Sequence, residues 1–313
     1  MMKHKPVILH IGTEKTGTTF LQEFLRTNQR KLLEQGLVYP TSVPHHSIPL
    51  CISQNQPELA RNMSLLGAEI EEHDKASRVL LSSEFCHSRM TSKSQLATLE
   101  NSLRYIGLAV TEIFVYFRDQ SSLFHSSYSE LIKAGVSYTF DEMFQLMKGQ
   151  PYYSHLTIAR LWADHFTPER IRIFSYNTHK ADLLQHFLSV IKINKRDGFF
   201  VPSRLNKRPS PLVLEIVRGI NKLGKVDAVA LTNFLSRADA FSHYSLLSEA
   251  NAAEIREIFD EQNQALCREF GLSRKEFPAI ADEERGCQPN LSEEILNLIK
   301  NFWLLRSNPT FPR

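Results

Sequence analysis

Apolar residues along this chain follow two rhythms. Short unbroken runs, Val7-Ile8-Leu9, Val79-Leu80-Leu81 and Ile113-Phe114-Val115-Tyr116-Phe117, read as strands buried on both faces. Arg170 to Tyr176 adds a strand with alternating charge at its start, and Gly36 to Pro40 a short extended segment. Between the runs, apolar residues recur every three to four positions, the helical period. This spacing predicts a helix through Leu21, Phe24 and Leu25, then helices over Pro57–His73, Ser92–Gly107 and Gln120–Ala134, the last ended by Gly135. Thr139–Met147 and Tyr153–His165 also read as helical. From Pro211 onward the pattern is helical, with a long amphipathic stretch over Glu249–Phe270 and a last helix near Leu291–Leu305. Residues 41–60, rich in Pro, His, Ser and Gln, read as a loop over a surface or cleft.

Strands alternating with helices imply an α/β fold, a three-layer α/β/α arrangement with a central parallel sheet and right-handed crossovers. In such sheets ligands bind at the carboxyl ends of the strands. That rule sets Lys15 to Thr19, Ser82 to Glu84 and Arg118 to Ser126 along one edge. The chain reads as a single domain over 1–313, with a nucleotide-binding core over about 5–200 and a helical part over about 210–313.

The first of these segments carries the strongest chemical signal. Val7-Ile8-Leu9-His10-Ile11 feeds Gly12-Thr13-Glu14-Lys15-Thr16-Gly17-Thr18-Thr19, and a helix follows. A strand, a glycine-containing loop and a helix N-terminus together favour a phosphate, through inward N–H groups and the helix dipole. Against the frame G-x-x-x-x-G-K-[ST], Gly12, Gly17 and Thr19 fit, but Thr18 stands in the lysine place. The loop's only lysine is Lys15, three residues earlier. That displacement argues against an ordinary nucleoside triphosphatase, whose lysine reaches the β- and γ-phosphates. The third main strand ends in Arg118-Asp119, and Ser126 follows eight residues after Arg118 in the next helix. An arginine fork and a hydroxyl so spaced can converge on one phosphate.

Composition narrows the field. With 313 residues, 42% of them hydrophobic, the chain has material for a sheet covered on both sides. The net charge of +3 carries no polyanion signature, so nucleic acid is not the expected partner. Cys51, Cys86, Cys267 and Cys287 are widely spaced, with neither a C-x-x-C nor a metal pattern, and read as reduced thiols. No secretory signal and no membrane-length apolar window is found, so a cytoplasmic protein without a membrane span is the expectation. The oligomeric state is open.

Lys15-Thr16-Gly17-Thr18-Thr19 resembles the 5′-phosphosulfate loop of sulfotransferases that use 3′-phosphoadenosine 5′-phosphosulfate (PAPS). Arg118 with Ser126 is similar to their 3′-phosphate-binding pair. Gly12 to Phe20 is especially similar to the bacterial carbohydrate and heparan-sulfate branch. The resemblance implies a P-loop NTPase-like sulfotransferase fold, PAPS as donor with no metal required, and a small-molecule or glycan acceptor. It makes Lys15 the catalyst that stabilises the departing bridging oxygen. Thr16, Gly17, Thr18 and Thr19 become holders of the phosphosulfate, and Arg118 and Ser126 holders of the 3′-phosphate. Arg208, in the basic stretch Arg204 to Ser210, is carried over as a further nucleotide contact. Glu84, at the end of the second main strand, stands where that branch has a catalytic Glu. The Glu-Lys pair common in heparan enzymes is absent here. The plain structural reading of Glu84 is a helix cap or a partner for Arg89. His87, His45 and His46 are the alternative bases, and His10 reads as a packing residue. Two other functions fit parts of the pattern: a P-loop kinase or nucleotide-binding protein with Ile113 to Asp119 as its acidic strand, and a non-catalytic PAPS-binding module.

Overall fold

The computed structural model describes residues 4–194, 197–203, 209–224, 226–236, 244–281 and 291–307. Arg204, Lys207, Arg208 and Cys287 lie outside the described residues. Five strands, β1 (Lys5–His10), β2 (Leu37–Val38), β3 (Arg78–Ser82), β4 (Leu108–Phe117) and β5 (Ile171–Ser175), form one parallel sheet in the order β2-β3-β1-β4-β5. The chain leaves β1, runs outward to β2, returns beside β1 as β3, and crosses to the other side as β4. The strand order therefore reverses around β1, which places a crevice at its carboxyl end. In register, His10 faces Ser82 on one side and Phe114 on the other.

Contacts divide the chain into two compact units. The first comprises Met1–Arg118, Pro151–Leu205 and Glu261–Phe277, and holds the whole sheet. Its strands alternate between two apolar layers, as a sheet buried on both faces requires. Val7, Leu9, Leu81, Ile113 and Val115 point into one layer, filled by Leu66 and Ile70 of the helix Glu58–Glu72, Leu99 of Lys93–Tyr105 and Trp162 of His155–Phe166. Ile8, Leu80, Phe114 and Tyr116 point the other way, against Leu21, Phe24 and Leu25 of α1 (Thr18–Thr27) and Phe187 of Leu183–Val190. The fold is the expected α/β, with a helical layer on each face of a parallel sheet.

The second unit comprises Asp119–Gln150, Asn206–Asp260 and Pro278–Arg313, and its described elements are mainly helices. Gln120–Lys133 and Pro211–Leu223 are tied by Tyr128 Oη, which donates to Glu215, and by Asn221 Nδ2, which donates to the Ile132 and Val136 carbonyls.

Most expected elements stand close to their predicted bounds, including Glu249–Phe270. Residues 41–60 differ: Ser47–Ser53 is a helix that buries Ile48, Cys51 and Ile52, and the next helix starts at Glu58. Fewer than two turns around a proline gave no readable period. β4 begins at Leu108, ahead of the apolar run Ile113–Phe117, and Leu183–Val190 fills a stretch for which no element was expected.

Candidate functional site

The loop after β1 is built by its backbone. Gly12 (φ 50°), Lys15 (φ 65°) and Gly17 (φ 78°) all adopt the left-handed region, the kind of backbone from which anion-binding loops are built. Both glycines are required by close neighbours. A Cβ on Gly12 would stand 3.1 Å from the Glu84 Cα, and one on Gly17 would stand 2.7 Å from Leu183 Cδ2. The loop is fixed from within by Thr16 Oγ1, which donates to the Thr13 carbonyl at 2.7 Å. Thr16 and Thr18 are buried, whereas Lys15 and Thr19 are exposed. The Thr13 hydroxyl is buried with no hydrogen-bond partner among the described residues. α1 opens at Thr18, with Gly17 as its N-cap, so its dipole adds positive potential at the loop.

Arg118 follows the last residue of β4 and reaches back to this loop. Its Nη1 donates to the Lys15 carbonyl at 3.1 Å, and its guanidinium lies over the Tyr176 ring, 5.5 Å from the centroid. The backbone carbonyl of Arg118 accepts from His155 Nε2 at 2.7 Å, and His155 stacks on Phe117. Two cations from separate strand ends thus serve one edge. Ser126 is half-buried on Gln120–Lys133, in the second unit. Arg208 lies outside the described residues.

Glu84 faces the loop from the end of β3. Gln22 of α1 holds it there: its Nε2 donates to Glu84 Oε2 at 2.9 Å and to the Ser82 carbonyl at 3.2 Å. Glu84 also stands at the N-cap position of the short helix Phe85–Arg89, with no side-chain cap hydrogen bond. Burial, with a further push from the Glu84 carboxylate, holds the Tyr39 phenol protonated far above its usual range.

The four histidines considered above, of twelve in the chain, differ sharply. His10 stacks on Phe114 and its Nδ1 meets Ser82 Oγ at 2.8 Å; full burial lowers its pKa to about 3. His45 Nε2 donates to the Pro40 carbonyl and Nδ1 accepts from the Ser82 N–H, with burial lowering the pKa to about 4. Because β2 is only two residues long, His45 takes the place of a strand neighbour at the outer edge of β3. His87 is enclosed by Phe117 and Tyr152, and burial, with His155 nearby, lowers its pKa to about 3. His46 is exposed.

Beside this edge a half-open cleft of about 320 Å³ is lined by Thr19, Gln22, Tyr39, Thr41, His46 and neighbours on α1 and the segment after β2. Sequence reading missed Gln22, Tyr176 and His155. Gln22 carried one legible signal, a polar position one turn beyond the loop threonines. The other two depend on tertiary contacts alone.

No protein-family model and no curated protein matches the chain. Among solved structures, similarity is found to a sulfotransferase from Alicyclobacillus acidocaldarius, with 14% identity over 75% of this chain and 97% of that one, at a TM-score of 0.41. Similarity is also found to the sulfotransferase domain of the Synechococcus PCC 7002 olefin synthase. There the identity is 12% over 75% of this chain and 96% of that domain, with a TM-score of 0.34.

Proposed function

We propose that this chain is a sulfotransferase that moves the sulfuryl group of PAPS to an acceptor hydroxyl. The observation that carries the reading is the single edge at which Lys15, Arg118 and Glu84 meet a left-handed loop: Arg118 is bonded to the Lys15 carbonyl, and Glu84 lies against Gly12. Such a loop suits the 5′-phosphosulfate, and Arg118 supplies charge for a second anionic group of the same nucleotide. PAPS, when bound, brings an activated sulfur whose leaving group is the 5′-phosphate of adenosine 3′,5′-bisphosphate.

In this scheme Glu84 accepts the proton of the acceptor hydroxyl as its oxygen bonds to sulfur. Lys15 Nζ donates to the oxygen that bridged sulfur and phosphorus, which takes the electron pair of the breaking bond. The loop N–H groups and the Thr18 and Thr19 hydroxyls hold the phosphosulfate in line, while Arg118 grips the 3′-phosphate. The products are a sulfate ester and adenosine 3′,5′-bisphosphate, and Glu84 returns its proton to solvent. No residue in this scheme calls for a metal ion.

Calorimetric titration with adenosine 3′,5′-bisphosphate tests the donor, and transfer of ³⁵S from labelled PAPS tests the reaction. Absence of micromolar binding sinks the reading. Tight binding with no transfer to any acceptor supports the non-catalytic alternative. The kinase alternative needs Asp119 as a metal acid, yet its carboxylate accepts from Ser121 Oγ and Ser122 N, both at 2.7 Å, as the cap of Gln120–Lys133. Magnesium-dependent ATP binding would revive it.

A further inference from the structure

Tyr39, in the cleft beside the loop, carries a polar group that the fold itself does not use. It lies just after β2, lines the cleft and keeps only 7% of its surface exposed. Its main chain and ring are anchored. The Tyr39 carbonyl accepts from Gln29 Nε2 at 2.8 Å, the ring belongs to the apolar layer that includes Leu25 and Leu80, and its centroid stands 4.7 Å from that of His45. The phenol differs: it has no hydrogen-bond partner among the described residues, and it is not sealed in the core. A buried tyrosine hydroxyl ordinarily finds a partner, and a phenylalanine would fill the same space without one, so packing alone gives no reason for the oxygen. A continuous series of contacts ties this residue to the candidate base. The ring meets His45, His45 Nδ1 accepts from the Ser82 N–H at 3.0 Å, the Ser82 carbonyl accepts from Gln22 Nε2, and the same Nε2 donates to Glu84. Gln22, His45 and Ser82 all line the cleft. Burial, and then the Glu84 carboxylate, keep the phenol protonated, so its oxygen meets the cleft as an O–H donor.

We propose that Tyr39 is an acceptor-binding residue: its O–H donates to the oxygen that attacks sulfur, while Glu84 takes that oxygen's proton. The inference rests on the sulfotransferase reading above. An alcohol oxygen carries one proton and two lone pairs. The proton goes to Glu84, one lone pair forms the bond to sulfur, and the other accepts from Tyr39. The bond from sulfur to the bridging oxygen breaks, and its electron pair leaves on that oxygen beside Lys15. Tyr39 and Glu84 thus fix the attacking atom from two directions, and the phenol meets the charge that grows there as the proton departs. Nothing is asked of the remainder of the acceptor, so a water molecule in the cleft is oriented in the same way.

The test compares the full chain with Tyr39→Phe, using ³⁵S-labelled PAPS and two probe acceptors, water and glycerol. Single turnovers are read as labelled sulfate and labelled glycerol sulfate. Tyr39→Phe should slow both by about threefold to tenfold, the range of one neutral hydrogen bond. Its melting temperature should equal or exceed that of the unaltered chain, because only an unpaired oxygen is lost. Affinity for adenosine 3′,5′-bisphosphate, titrated on the same samples, should not change. Equal rates in the two proteins overturn the proposal. So does a slower rate with a lowered melting temperature, which marks Tyr39 as a packing residue, or with weakened bisphosphate binding, which assigns it to the donor. If the unaltered chain sulfates neither probe yet binds the bisphosphate, the role given to Tyr39 falls while donor binding stands. If the bisphosphate does not bind, the sulfotransferase reading itself falls first.

Discussion

At the scale of single residues, the site depends on backbone conformations that few side chains tolerate. Gly12 combines φ 50° with a position against the Glu84 main chain, where the obstacle is backbone and cannot swing aside. Gly12→Ala is expected to cost about 1–3 kcal/mol and to push Glu84 away from the loop. Melting temperature and kcat should fall together. Lys15 tells the two apart, because it is exposed and already left-handed without being glycine. Lys15→Ala should leave the melting temperature within a few degrees. Transfer should drop about 10²- to 10³-fold, the usual effect of removing one donor from a developing oxyanion. Single-turnover transfer from labelled PAPS reads this directly, and an unchanged rate would remove Lys15 from the chemistry. Gln22→Ala probes the residue that sequence did not reveal. With the Glu84 carboxylate released from its amide, kcat should fall while affinity for adenosine 3′,5′-bisphosphate holds. Equal kcat in Gln22→Ala and the unaltered chain would mean that Gln22 does not position Glu84.

At the scale of elements, Asp119 separates the competing functions. As the cap of Gln120–Lys133 it contributes about 0.5–2 kcal/mol. Asp119→Asn keeps a capping oxygen and should change stability by only a few tenths of that. Were Asp119 a metal acid instead, the same change would abolish magnesium-dependent nucleotide binding, and a titration with ATP and Mg²⁺ distinguishes the two. Elements like this helix were legible because several local signals agree. The apolar period is clear, Asp119 is a strong cap and Gly135 ends the turn. Lys93–Tyr105 is equally plain, with Ser92 and Gln95 forming a capping box. Ser47–Ser53 was hidden because seven residues around Pro49 show no period, and its shape is set by what Ile48 and Ile52 pack against. Part of the site had the same fate. Lys15, Arg118 and Glu84 announced themselves as loop or strand-end residues. His155 and Tyr176 act on Arg118 from far along the chain, through a carbonyl and a ring face that leave no motif.

At the scale of the whole molecule, three buried histidines give stability a pH window of its own. His10, His45 and His87 are held neutral by burial, with pKa values lowered from 6.5 to about 3, 4 and 3. In the unfolded chain each takes up a proton near pH 6.5, so between 6.5 and the folded value the unfolded state binds more protons. Stability then rises with pH through this window and is lost as pH falls from about 6.5 toward 4. Each histidine removes at most about 1.4 kcal/mol per pH unit. The carboxylates whose pKa values are lowered, among them Glu100, Glu142 and Glu254, act in a separate and more acid window. Their contribution is present above the unfolded value of 4.5 and fades below it. Melting temperature should therefore fall between pH 7 and pH 5, largely above the window of those carboxylates. His87 gives the sharpest check, because neither ring nitrogen has a hydrogen-bond partner among the described residues. His87→Leu should leave the melting temperature at pH 7 equal or higher, since an apolar side chain replaces unsatisfied buried nitrogens. The gap to the unaltered chain should widen steadily toward pH 5, because one proton uptake in the unfolded state has been deleted. Parallel melting curves for the two proteins from pH 7 to pH 5 would show that His87 is not held neutral by its enclosure between Phe117 and Tyr152.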